Sequence, residues 1–151
     1  MKQYFFILFF TALVACGTID IYEKTKAFSS HSWKSSETPS FTFYIEDTTA
    51  LYNIFLVLRH TDAYNYNNIW VNLTLKGPGD TVTIRREFVL ANNKQGWLGS
   101  SMDDIIEHRI PFNDKPAALR KGNYTFTLQQ DMREDSLDHI MNAGVRVEKA
   151  K

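Results

Sequence analysis

Residues 51–60 read LYNIFLVLRH, and the fold turns on how their side chains alternate. In a strand, Tyr52, Ile54, Leu56 and Leu58 point one way and Leu51, Asn53, Phe55 and Val57 the other. Both sets are largely apolar, which predicts a central strand covered on both sides. The run closes on Arg59 and His60 and passes into TDAYNYNN, a turn-rich connection. Alternation then resumes in IWVNLTLK, with Ile69, Val71, Leu73 and Leu75 against Trp70, Asn72 and Thr74.

Working outward, Gly77, Pro78, Gly79 and Asp80 form a strong turn signal, so TVTIRREFVL reads as the second arm of a hairpin. Arg86 falls among Val82, Ile84 and Phe88, which points to a twisted or edge position where its stem can snorkel. Upstream, Phe41, Phe43 and Ile45 alternate after Pro39. Downstream, ANNKQGWLGSSMDD reads as a loop with Trp97 flanked by Gly96 and Gly99. IIEHRIPF reads as a strand, because its apolar residues alternate and Pro111 would end a helix. After a second connection, NDKPAALRKG, Tyr124, Phe126 and Leu128 share one face. MREDSLDHIMNAG, residues 132–144, is the best helix candidate in the chain, and Val145 and Val147 mark a last strand. The expected fold is all-β, a two-sheet antiparallel β-sandwich of seven or eight short strands, with jelly-roll wiring as one option.

Size and charge narrow the function. The chain has 151 residues, with 17 Lys and Arg against 17 Asp and Glu. One domain is expected, with neither a nucleic-acid footprint nor a polybasic grip on anionic lipid. Beyond Cys16 no cysteine occurs, so the core must hold without a disulfide. Its aromatic residues, 14% of the chain, supply much burial per residue.

That one cysteine follows a lysine-led apolar stretch, Tyr4–Ala15, which has the length of a secretory signal and is too short to span a bilayer. Leu13, Val14 and Ala15 match the small-residue approach to a bacterial lipoprotein cleavage site, and Cys16 would be the first mature residue. A plain signal peptide, or a short buried helix with an inert thiol, is the alternative. Charge, length and the residues up to Cys16 together favour acylation, and two or three acyl chains make attachment nearly permanent. The expected organisation is a signal peptide over 1–15, a lipid-anchored and partly docked segment over 16–40, and the sandwich over 41–151.

Chemistry is sparse. His31, His60, His108 and His139 lie in separate segments without zinc-site spacing, no GxSxG elbow occurs, and nothing resembles a phosphate-binding loop. Carboxylate pairs such as Asp103 with Asp104 read as solvated loop charge. The chain is expected to be no enzyme and to need neither metal nor cofactor. Two clusters stand out instead. Arg59, His60, Asp62, Tyr64, Tyr66, Asn68 and Trp70 bunch where one strand ends and the next begins, on a rim where loops can bind a partner. Their internal alternative is ion pairing and lidding of the core. Met132, Arg133, Glu134 and Asp135 form the second, more suited to holding a neighbouring loop than to a ligand. The candidate partner-binding residues are Arg59, His60, Tyr64, Tyr66, Trp70, Trp97 and Arg133. Trp97 between glycines could also stack on sugar rings, which makes a carbohydrate-binding lipoprotein the alternative function.

The lipoprotein cysteine, YNIFLVLRHTDAYNYNNIWVNL, PGD, GWLG, GNYTFTLQQDMRED and AGVRVEKAK together resemble the gliding motility lipoprotein GldH family of Bacteroidota. The resemblance runs through nearly the whole mature chain. It implies a cell-envelope lipoprotein acting as a structural or interaction component of gliding and the associated type IX secretion machinery, with other envelope proteins as partners. It carries over no catalytic residue, only the acylated Cys16. Gly17 after the cysteine favours the outer membrane, and the spread acids of GTIDIYEK favour its periplasmic face over the cell surface. Thr48, Thr81 and Ser136 each follow an aspartate in the pattern that Bacteroidota O-glycosylate, though such short matches also arise by chance.

Overall fold

Period-two segments become strands throughout residues 21–151, the part of the chain that the computed structural model describes; the expected signal peptide and Cys16 lie outside the described residues. In order they are β1 (Ile21–Ala27), β2 (Ser32–Lys34), β3 (Ser40–Ile45), β4 (Leu51–Thr61), β5 (Asn68–Lys76), β6 (Thr81–Val89) and β7 (Ala91–Asn92). There follow β8 (Gly96–Trp97), β9 (Ser100–Met102), β10 (Ile105–Pro111), β11 (Ala117–Ala118), β12 (Gly122–Gln130), β13 (Ser136–Asp138) and β14 (Ile140–Lys149). A 3-10 turn at Ser29–His31 is the one helical element among the described residues.

Two antiparallel sheets face each other, one ordered β1-β14-β4-β10-β9 with β11 also on β4, the other β3-β12-β5-β6. Eight of the strands have six residues or more, and these carry the fold. Among them the first pairs with the last, the second with the seventh, the third with the sixth and the fourth with the fifth. This is jelly-roll wiring, one long hairpin folded back on itself. Its tip is the turn after Lys76, where the Gly77 amide donates to the Asp80 carbonyl at 2.9 Å and Gly79 takes φ 103°, a conformation that strains any other residue.

The wiring gives the sandwich two ends. The turn pole gathers residues 46–50, 77–80 and 113–121 with the end of β14; the cleft pole gathers residues 62–67, 90–104 and 131–139. Between the sheets Leu56, Leu58, Ile69, Val71, Phe126, Leu128 and Val145 are fully buried. Each stabilises the fold by about 1.5–3 kcal/mol relative to exposure.

The second face of β4 departs from expectation. Leu51 and Arg59 are exposed, Asn53 and Phe55 half-buried, and Val57 alone is buried. Among the described residues no further layer of strands lies over it; long charged side chains shelter it instead. Phe55 lines a shallow depression with Arg109, Arg146 and Glu148, and Glu23 holds Arg109 at 3.0 Å and Arg146 at 2.9 Å. Aliphatic stems cover the ring while the charged heads meet each other and water.

The helix expected over residues 132–144 is absent. Leu137 sits in β13 opposite Trp33 of β2, and from Ile140 the chain is β14, with a register shift between Ile140 and Asn142. His139, at φ 71°, cannot lie inside a right-handed helix. The local pattern loses because Leu137 and Ile140 are both fully buried by residues distant in sequence. Arg86 sits on edge strand β6, where it bonds the Phe112 carbonyl and reaches Asp114 at 2.7 Å.

Residues before 41 take part in the sheets as well. All seven residues of β1 pair with β14, and the approach is close: a Cβ on Gly144 would meet the Lys24 carbonyl at 2.1 Å. Phe28 and Trp33 are buried and stack with ring centroids 5.1 Å apart.

Candidate functional site

At the start of β5, alternation sends Ile69 and Val71 into the core and leaves Asn68 and Trp70 half-buried on the outer face. Register with β6 sets Trp70 opposite Glu87 and Asn72 opposite Arg85. Arg85 is therefore diagonal to Trp70, and its guanidinium lies 4.0 Å from the indole centroid, a cation–π contact. Its Nε also donates to Asp131 at 2.5 Å.

The loop after β12 closes the other side. The Asp131 amide donates to the Trp70 carbonyl at 2.8 Å, and the Trp70 amide in turn meets Met132 Sδ at 3.3 Å. Gln130, buried, holds the loop from within: its Oε1 accepts the Met132 amide at 2.9 Å and its Nε2 donates to the Glu134 carbonyl at 2.9 Å. The Tyr66 hydroxyl donates to Glu134 at 2.5 Å, a bond that raises the Tyr66 pKa, and Asn68 donates to Glu87 at 2.5 Å. The result is an open cleft of about 640 Å³ lined by Tyr66, Asn68, Trp70, Arg85 and residues 131–134. Arg85 and Asp131 neutralise each other, whereas exposed Arg133 has no ion-pair or hydrogen-bond partner among the described residues. The cleft thus combines an aromatic wall, a thioether and one free guanidinium on a braced loop, a combination suited to binding.

Beneath it runs a ladder of rings. Tyr66 meets Tyr64 at 5.6 Å between centroids, Tyr64 meets His60 at 5.3 Å, and His60 meets Trp97 at 4.5 Å and His108 at 5.1 Å. His60 and His108 are buried and face each other through Nε2 at 2.9 Å. His60 Nδ1 lies 2.7 Å from the Thr61 carbonyl, which can only accept, so the proton is on Nδ1 and the bare Nε2 accepts from His108. Burial pushes both imidazoles down, His108 to about 4, and the Thr61 carbonyl opposes the shift at His60.

The residues singled out in sequence therefore divide. Tyr66, Trp70 and Arg133 meet in the cleft. His60 and Tyr64 are buried beneath it, so neither can touch a partner, and Tyr64 follows the lidding alternative. Half-buried Trp97 abuts His60 and Tyr64. Arg59 lies outside the cleft, on the outer face of the other sheet, ion-paired to Glu107. Thr48 and Thr81 are exposed, whereas Ser136 is half-buried with its hydroxyl bonded to that of Ser32. Among the described residues no group of three or more His, Cys, Asp or Glu could hold a metal ion. Arg85 and Asp131 escaped the sequence reading. The turn offered a signal for Arg85, since closing it on Lys76 and Thr81 places Arg85 diagonal to Trp70.

Fold and site together define a small jelly-roll sandwich with a polar-aromatic cleft at one pole. The family model described as "GldH lipoprotein" matches residues 20–147, and the chain belongs to that family. It is 25% identical over 155 residues to a protein of Christiangramia forsetii named gliding motility lipoprotein GldH homolog, covering 96% of this chain and 94% of the relative. To the gliding motility lipoprotein GldH of Flavobacterium johnsoniae it is 26% identical over 144 residues, covering 90% and 89%. Among solved structures, the infectious bursal disease virus VP2 subviral particle matches at TM-score 0.39 and 15% identity, covering 84% of this chain and 32% of that one. Dimeric latent PorU of Porphyromonas gingivalis matches at 0.38 and 11% identity, covering 91% and 13%. Likeness at that level falls short of a shared fold.

Proposed function

We propose that this protein is a lipoprotein of the outer membrane, acylated on Cys16, that serves gliding and the associated type IX secretion machinery by binding another envelope protein in the cleft. The convergence of Tyr66, Trp70 and Arg133 from two separate sequence clusters into one braced cleft carries the reading. Family membership and the names of the relatives support the gliding role. The aromatic wall, the thioether and the free guanidinium on a braced loop suit a binding or structural part. A sugar-binding role has less support: Arg85 occupies a face of Trp70, and Trp97 is engaged with His60 and Tyr64.

Two experiments test this. Crosslinking in native membranes, followed by identification of the captured proteins, should yield a defined envelope partner. Trp70→Ala should weaken that complex by about 2 kcal/mol, roughly 30-fold, as expected for a central aromatic contact. Capture undiminished in both Trp70→Ala and Arg133→Ala would rule the cleft out. Separately, Cys16→Ser should move the protein from the membrane to the soluble fraction, and firm retention of that variant would refute anchoring by acylation. The periplasmic face is the proposed side, so protease added to intact cells should leave the domain whole. Glycosylation is proposed at Thr48 and Thr81, which are exposed, ahead of Ser136; an intact mass explained by chain and lipid alone would exclude all three.

A further inference from the structure

Strand wiring and tether length together constrain how the domain stands on a membrane. β1 runs parallel to β4, since both are antiparallel to β14, and register aligns Ile21 with Glu148 and through it with Asn53. The chain therefore enters the sheet at the turn pole. It also enters at one lateral edge: β1 is terminal in its sheet, and Tyr22 donates its hydroxyl to the Thr42 carbonyl at 3.0 Å on β3, which is terminal in the other. The cleft lies at the opposite pole and the opposite edge, on β5 and β6. The rise from the level of Asn53 to that of Thr61 is about 26 Å, and three strand spacings of about 4.8 Å separate β3 from β6. The cleft is thus about 30 Å from Ile21.

Residues 17–20 alone separate Cys16 from Ile21. Even fully stretched, that tether holds the two Cα atoms within about 18 Å of each other. We infer that the turn pole rests on the lipid headgroups and that the cleft faces away from the bilayer, an inference that depends on acylation of Cys16. Ile21, Tyr44 and Leu51, exposed by 51%, 52% and 47%, lie towards this pole with exposed Lys115, while Lys121 is paired to Glu46, so it offers a headgroup layer apolar contacts and the Lys115 ammonium. Val89, Leu98 and Met102, exposed by 54%, 44% and 77%, lie at the cleft pole, so exposed apolar surface does not choose between the two ends and the tether does. Lying flat on the outer face of the β3 sheet is disfavoured. The outer face of the β3 sheet presents hydroxyls paired to one another, Thr42 with Thr125 at 2.9 Å and Thr74 with Thr83 at 3.1 Å, and lacks an apolar anchor along these rows. A partner in the cleft would then be met well clear of the membrane surface.

The three tryptophans, Trp33, Trp70 and Trp97, all belong to the cleft-pole half and make the test direct. Acylated protein purified from membranes is placed in phosphatidylethanolamine–phosphatidylglycerol vesicles containing lipid with a nitroxide on its headgroup. Native tryptophan emission should be nearly unquenched, while Leu51→Trp, and independently Tyr44→Trp, should lose most of the emission they add. Strong quenching of the native tryptophans, or none at either added position, overturns the orientation while leaving anchoring intact. Failure of the wild-type protein to float with the vesicles overturns both, and Cys16→Ser supplies the unanchored reference.

Discussion

Trp33→Ala is expected to destabilise the domain by about 3–5 kcal/mol, the range for removing a large buried aromatic side chain. Trp33 is 0% exposed, stacks on Phe28, and donates its indole N–H to the Glu37 carbonyl at 2.8 Å. Its strand β2 pairs with β13, so one side chain links the early part of the chain to Leu137, more than a hundred residues later. Truncation opens a cavity that the flanking strands cannot fill without breaking those pairs, and it orphans the carbonyl of Glu37. Against a typical total of about 5–15 kcal/mol, such a loss puts the fold near its limit. Urea unfolding followed by circular dichroism measures it, and Trp33→Phe, which keeps a stacked ring, should lose clearly less. If Trp33→Ala unfolded within about 0.5 kcal/mol of wild type, the size of a neutral surface change, residues before 41 would be dispensable wrapping. The structure makes them part of the core.

Acidification should weaken the fold through the paired imidazoles. Unfolded histidine titrates near 6.5, whereas burial, reinforced by the charge of His60, holds His108 at about 4 in the folded state. Above 6.5 both states are neutral and stability is complete. Between 6.5 and about 4 the unfolded chain takes up a proton that the folded chain refuses, so stability falls as pH falls; below that window both states are charged and the loss stops growing. The full loss is about 3 kcal/mol for His108, and His60, shifted the same way, adds to it. Carboxylates held low by their partners, Glu23 by Arg109 above all, weaken the fold only at more acidic pH. The diagnostic interval is therefore pH 6.5 to 5. Unfolding free energies across it should decline in wild type and much less in His108→Gln. Equal slopes in the two proteins would remove the histidine pair as the cause.

Much of the fold was legible because it rests on local rules. Phe41, Phe43 and Ile45, or Ile69, Val71 and Leu73, alternate because one side of each strand meets the other sheet, and Gly77 to Asp80 read as a turn because few other residues make one. Where the reading failed, the deciding contacts were distant. Residues 132–144 look helical until Leu137 finds Trp33, and Phe55 looks like a second core until Arg109 and Arg146 arrive from other strands to cover it. The site shows the same split. Tyr66, Trp70 and Arg133 stood out as polar or aromatic groups beside turns; alternation in LYNIFLVLRH carries His60 to the face of Leu56 and Leu58, but nothing in that run says that His108 from β10 meets it there.

The sequence by itself determined that the chain is a helix-poor, two-layered β protein with no cysteine after Cys16, and that this one cysteine stands where acylation is expected. These properties follow from composition, spacing and period-two burial, which each segment carries alone. Tertiary structure alone decided that the first strand pairs with the last, that two sequence clusters meet in one cleft while Arg59 is left outside it, and that this cleft lies about 30 Å from Ile21. Pairing between remote strands sets those relations, and its register is a property of two segments at once.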